Sequence, residues 1–227
     1  MNLKLSTPFV IAFFALTFLM HEAHEIAHTA VGRLICGCWG IRDFNVWELC
    51  KNCEQQHPIS IIASFTGPAF SFLMMWIGYI LLSDKKTDEQ KAIGFCLIFA
   101  NLPFGRILTA VIGGGDEVSG IDTLLNNRVL AWALGLSIIL AITFIPLLKA
   151  YQLIINRRKI GWFLLFFIVP TFIDVLVVLL GMNTLLQMGL LNTYWILGSP
   201  LLVTLWTVFV LGLFLLTKRN IYKLADK

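Results

Sequence analysis

The sequence predicts an all-α fold: a polytopic transmembrane helical bundle of about six spans, forming one membrane-embedded domain over residues 1–227. Composition and pattern both point there. Of the residues, 58% are hydrophobic and 13% charged, whereas soluble domains run near roughly a quarter charged. The mean hydropathy is +0.84. Apolar runs close to the roughly 20 residues that a spanning helix needs recur along the chain, separated by short polar or turn-forming breaks.

The first run, 8–34, lacks the small-residue cleavage site of a signal peptide and carries histidines at its far end, so it belongs to the mature fold. A cysteine-containing loop, 36–58, follows, and "CKNCEQQHP" leads into a second span at 59–82. "SDKKTDEQK" precedes the third, at 92–112, and "GGGDEVSGIDTLLNNR" reads as a glycine-rich loop before the fourth, at 129–148. "INRRK" introduces the fifth, at 161–181. "GMNTLLQMGLLN" is the weakest break, apolar enough to be re-entrant or interfacial, before a sixth span at 194–216. Neither an internal repeat nor a low-complexity linker interrupts the chain.

Six spans place both termini on one side of the membrane. That side collects Lys4, Lys85, Lys86, Lys91, Lys149, Arg157, Arg158, Lys159 and the basic C-terminal tail; the other holds Arg33, Arg42, Lys51 and Arg128. Because cytoplasmic loops carry the Lys/Arg excess, the termini are predicted cytoplasmic, with the cysteine loop and the glycine-rich loop opposite. The net charge of +4 therefore speaks to topology. No basic patch interleaved with aromatics appears, which sets nucleic acid aside as a partner and leaves the lipid bilayer.

Within this oily chain, "LMHEAHEIAHTAVGR" puts three histidines and two glutamates into the first span. Ionisable groups inside a bilayer are costly and mark function. His24-Glu25-Ile26-Ala27-His28 fits H-E-x-x-H. A helix stacks histidines four residues apart on one face, where two ring nitrogens can bind one Zn2+. Glu25 can reach a metal-bound water as general base and then pass the proton to a leaving nitrogen. The bland alternative is a pair of helix histidines satisfied by polar neighbours, an expensive use of an apolar span.

Two histidines leave a catalytic zinc short of a third protein ligand. Asp116 and Glu117 follow "AVIGGG" at the end of the third span, on the same side as His28, and three glycines let the backbone bend a carboxylate toward a metal. Asp116 is the first choice, with Glu117 next; solvated acids on a flexible loop are the alternative. His21 shares the ligand face, as a substitute ligand, an outer partner or a water-contacting group. Glu22 reads as a hydrogen-bond partner within the bundle. Asp174, mid-way along the fifth span, reads as a helix-pairing or proton-pathway residue. "GPAFS" and "NLP" read as places where a helix is locally opened, because proline donates no backbone hydrogen bond and Gly67 permits close approach.

These motifs resemble those of the site-2 proteases, intramembrane zinc metalloproteases that cut transmembrane segments of other proteins. The resemblance rests on "HEIAH" in an apolar helix, "FTGPAFSF" with Gly67-Pro68 at the next span, and "ANLPFGR" in the third, and it covers roughly the first 120 residues. It implies a membrane-protein substrate, Zn2+ held by His24, His28 and a carboxylate, Glu25 as base, and Asn101 as a hydrogen-bond group for substrate or a developing oxyanion. The chain departs from the family pattern where Asn101 and Pro103 stand one residue closer than usual, and Thr109 falls about where the aspartate is expected. Asp116 is therefore assigned by side and spacing. Arg106 pairs with Asp116 or Glu117, or binds a substrate carbonyl.

Cys36, Cys38, Cys50 and Cys53 suit either disulfides or a structural zinc; an oxidising compartment favours disulfides. Two other functions fit parts of the pattern. "HEAHEIAH" also resembles the histidine-glutamate helix of zinc-importing carriers, although no second His/Asp-rich helix pairs with it. A non-catalytic membrane adaptor would have no need of Glu25.

Overall fold

A computed structural model describes residues 1–224 of the chain. Among them six helical stretches are long and apolar enough to cross a membrane. The first helix, α1 (Thr7–Cys36), starts where Ser6 Oγ accepts from the Phe9 N–H and Pro8 occupies the first turn, and stops at Gly37 in the left-handed region. Helix α2 (Ile62–Leu81) is continuous with a short 3-10 turn from Pro58. A Thr87/Gln90 capping box opens α3 (Asp88–Ala100). Then Leu102 turns left-handed, and Pro103 begins α4 (Pro103–Val111), which completes the third span. Next come α5 (Asp116–Leu125), a ten-residue helix too short to span, and α6 (Arg128–Leu153), capped by Asn127. The fifth span is α7 (Lys159–Asp174), continued by the π-helical Val175–Met182 and a last turn to Gln187. Finally α8 (Leu201–Thr217) extends as a 3-10 turn to Leu224.

Three expectations change. The weak break lies at 188–200 and not at 182–193, because "NTLLQ" simply continues the helix. The chain turns only where Gly189, Leu191, Leu197 and Gly198 take positive φ, so the sixth span starts at Leu201. The glycine-rich stretch is likewise a tight turn and a helix, with no flexible loop. Gly113 and Gly115 adopt φ of 82° and 88°, conformations that only glycine takes freely, and α5 begins at once. Pro68 does not open its helix, which runs through it unbroken; the opening falls instead at Asn101-Leu102, where α3 ends.

Packing explains where polar residues can sit. The N-terminal half of α1 lies in a phenylalanine core, with Phe9, Phe13, Phe95, Phe99 and Phe166 buried together through edge and stacked ring contacts. Phe18 joins a second apolar cluster with Phe44, Val178, Leu202, Val203 and Val210. Only beyond these does α1 turn polar. Leu34, Ile112, Val129 and Leu216 point outward from the bundle, as side chains against lipid do. The Lys4 N–H donates to the Leu224 carbonyl at 2.7 Å, so both ends of the described chain meet at one end of the bundle, as an even number of spans requires.

The loop after α1 is stapled down. Disulfides join Cys36 to Cys53 and Cys38 to Cys50. These four cysteines are therefore not a second metal site. Cys96 is a free, buried apolar side chain. Inside the loop, Arg42 is almost wholly buried: Nη1 donates to Glu22 Oε2 at 2.9 Å and Nε to Ser199 Oγ at 3.0 Å. Thr207 Oγ1 donates to the same glutamate oxygen at 2.6 Å. One buried ion pair thus ties the loop to α1 and α8. Breaking such a pair costs about 3–5 kcal/mol, because the remaining charge stays buried alone.

Candidate metal centre

Helix periodicity places His24 and His28 one turn apart, and the fold closes a third group onto them. The Nε2 atoms of His24 and His28 lie 3.1 Å from each other. Asp116 Oδ2 lies 3.1 Å from the first and 3.5 Å from the second. Among the described residues, these three form the one cluster of histidine, cysteine and acidic side chains close enough to share a metal ion. Four ligands on tetrahedral arms of about 2.0–2.1 Å stand about 3.3–3.4 Å apart. The three observed separations match the edges of such a tetrahedron.

Each ligand is held from behind. The His28 ring is fully buried, donates Nδ1–H to the Ala63 carbonyl at 2.7 Å, and so keeps the Nε2 lone pair free for a cation. Trp47, from the stapled loop, stacks on its face with centroids 4.5 Å apart and planes at 9°. On the other side stands Gly67, where an added Cβ would fall 2.2 Å from His28 Nε2 and 2.7 Å from His24 Cε1. Only glycine lets α2 approach the two rings this closely. Gly67→Ala should therefore displace the imidazoles and lower zinc content severely, by metal analysis of the purified protein. Gly212→Ala, where an added carbon meets nothing within 4 Å, should leave it unchanged.

His24 has two hydrogen-bond patterns open to it. Its Nδ1 lies 2.7 Å from Arg106 Nη2 and 3.2 Å from Ser71 Oγ. When Arg106 donates there, Nε2 carries the proton and faces Asp116. Metal binding requires the opposite tautomer, with Nδ1–H donating to Ser71 while Arg106 keeps Ser71 Oγ at 2.8 Å and Glu117 Oε1 at 3.1 Å. Asp116 is the N-terminal residue of α5, where the helix dipole favours a carboxylate. Burial alone would push its carboxyl up, but the two histidine rings it faces outweigh burial and hold it well below the usual carboxylate range. The donor set, two neutral imidazoles and one carboxylate, suits Zn2+.

A cavity of about 470 Å³ opens beside the cluster, lined by His21, His24, Glu25, Asn101, Arg106, Asp116 and Asp174 among others. Glu25 is buried, and its Oε2 has no hydrogen-bond partner. A buried carboxylate oxygen of this kind is ready to bond water or substrate. Asn101 lines the same space. Its Nδ2 donates to the Leu97 carbonyl at 2.7 Å, and the atom without a partner is the acceptor Oδ1. The free acceptor suits a substrate N–H, one of the two roles expected of this side chain. Two other candidates are held away from the cluster. His21 is bound by Asp174 across the bundle, and Glu117 is occupied by Arg106, so neither supplies the third ligand position.

Several contributors were not visible in the sequence. Ala63 and Trp47 carry no motif of their own, and Ser71 stands at the end of "GPAFS" without a role of its own there. By residue type Ser71 is only a hydroxyl inside an apolar span, a weak signal because a helix commonly satisfies such groups by itself. Compared with known proteins, the chain matches no family model, no curated sequence and no solved structure. The functional case rests on the site.

Proposed function

We propose that the protein is an intramembrane zinc metalloprotease that hydrolyses peptide bonds in or near transmembrane segments of other membrane proteins. One observation supports this above the others: His24, His28 and Asp116 converge in zinc-ligand geometry beside a buried, unpartnered Glu25 carboxylate, on a cavity inside a bundle of apolar helices. Zinc held there would supply Lewis acidity, polarising the scissile carbonyl and making water more acidic. Glu25 takes a proton from the attacking water, its free oxygen having no competing bond. Asn101 Oδ1 accepts a backbone N–H of the substrate and so holds the chain in register. Arg106 orients His24 through Ser71 and balances the charge of Glu117. The two disulfides suit a loop in an oxidising compartment, which supports cytoplasmic termini.

Purified protein in proteoliposomes provides the test. It should contain about one zinc per chain and cleave a transmembrane peptide, and a chelator should abolish cleavage until zinc is restored. Zinc flux across the vesicle membrane with no cleavage would replace this reading with that of a carrier.

A further inference from the structure

His21 and Asp174 are left over by the chemistry above, yet they line the same cavity. His21 Nδ1 lies 2.9 Å from both Asp174 oxygens, a contact that joins α1 to the end of α7. Side-chain exposure is 12% for the histidine and 5% for the aspartate. Asp174 is the last residue before α7 widens into the π-helical stretch 175–182, and π segments collect at functional sites. Holding Nδ1–H in this way fixes one tautomer and leaves Nε2 to the cavity. Glu25 is four residues along α1, on the same stripe as His21, and His24 and His28 occupy the adjacent stripe. The other charged groups lining the cavity are Arg106 on α4, and Asp116 and Glu117 on α5.

We propose that His21, positioned by Asp174, is the proton donor to the departing nitrogen, relieving Glu25 of that second task. The proposal rests on the protease reading. Water adds to the scissile carbonyl carbon as Glu25 takes one of its protons. The C–N bond then breaks as Nε2–H of His21 passes its proton to the nitrogen, so the amine leaves neutral. Asp174 stays a carboxylate throughout and balances the imidazolium before transfer, as the aspartate does in an Asp–His pair. The proton held by Glu25 returns to His21 through water, and the new carboxyl group gives up its own proton to solvent. Separate groups for acid and base let each stand in its working protonation state at the moment it is needed.

The test compares two zinc-loaded variants, His21→Gln and Asp174→Asn, on a transmembrane peptide and on the same peptide carrying an activated ester at the scissile position. An activated ester leaves without needing a proton. His21→Gln should slow amide cleavage about 10²–10⁴-fold in kcat with little change in KM, and slow the ester less than about tenfold. Asp174→Asn should shift amide cleavage in the same direction by less. Equal slowing of amide and ester, or no slowing of either, with zinc content intact, would overturn the donor role while leaving the protease standing. Loss of zinc in both variants would show that the pair maintains the metal site, and would overturn it as well. Wild-type protein inert toward both substrates would remove the protease reading and this proposal together.

Discussion

Glu25→Gln should reduce cleavage of a transmembrane peptide by about 10²–10⁴-fold while zinc stays bound, because the change removes a general base and nothing else of size. The side chain keeps its length, and the helix keeps its packing. Glu25 makes no bond through Oε2 that the amide would break. Neither ligand imidazole is held by Glu25: Ala63 and Ser71 support them from the far side. The fall should appear in kcat. Metal analysis and single-turnover cleavage on the same sample separate the two effects. Near-normal cleavage would move the base elsewhere, and loss of zinc would make Glu25 a structural residue of the metal site.

The sequence made the H-E-x-x-H helix legible because its signal is local. A four-residue spacing on one helix specifies which side chains share a face, and an apolar span makes polar residues conspicuous. The same locality explains the failures. Asp174 and His21 are 153 residues apart, and nothing in either neighbourhood announces the other. Glu117 and Asp116 looked almost equivalent in sequence. The start of α5 separates them, sending one carboxylate to the histidines and the other to Arg106. Gly67 permits close approach, as its residue type suggests, but only the folded chain shows that two rings from another helix are what approach it. The fifth-to-sixth break was misplaced because "NTLLQ" has no breaker of its own, and the true turn depends on positive-φ residues further on.

Asp116→Ala should lose zinc and all measurable cleavage, the steepest effect expected from any carboxylate outside α1. A catalytic zinc keeps three protein ligands and one open position, and α1 supplies only two. Losing an outer hydrogen-bond partner already costs roughly 10–100-fold in metal affinity, and losing a ligand should exceed that. The neighbouring acids give graded controls on the same helix. Asp122 pairs with Arg128 at 3.3 Å on the exposed side, so Asp122→Ala should change neither metal nor activity. Glu117→Ala should fall between. It keeps all three candidate ligands but frees the Arg106 guanidinium, whose Nη2 already sits 2.7 Å from His24 Nδ1 and which then favours the tautomer that cannot bind metal through Nε2. Zinc occupancy titrated across the three variants should thus rank Asp122→Ala above Glu117→Ala above Asp116→Ala. X-ray absorption on the wild-type protein should find two nitrogen ligands and a carboxylate oxygen at about 2.0–2.2 Å. If Asp116→Ala retains stoichiometric zinc, the third ligand lies outside this cluster, and the turn at Gly113–Gly115 serves some other end.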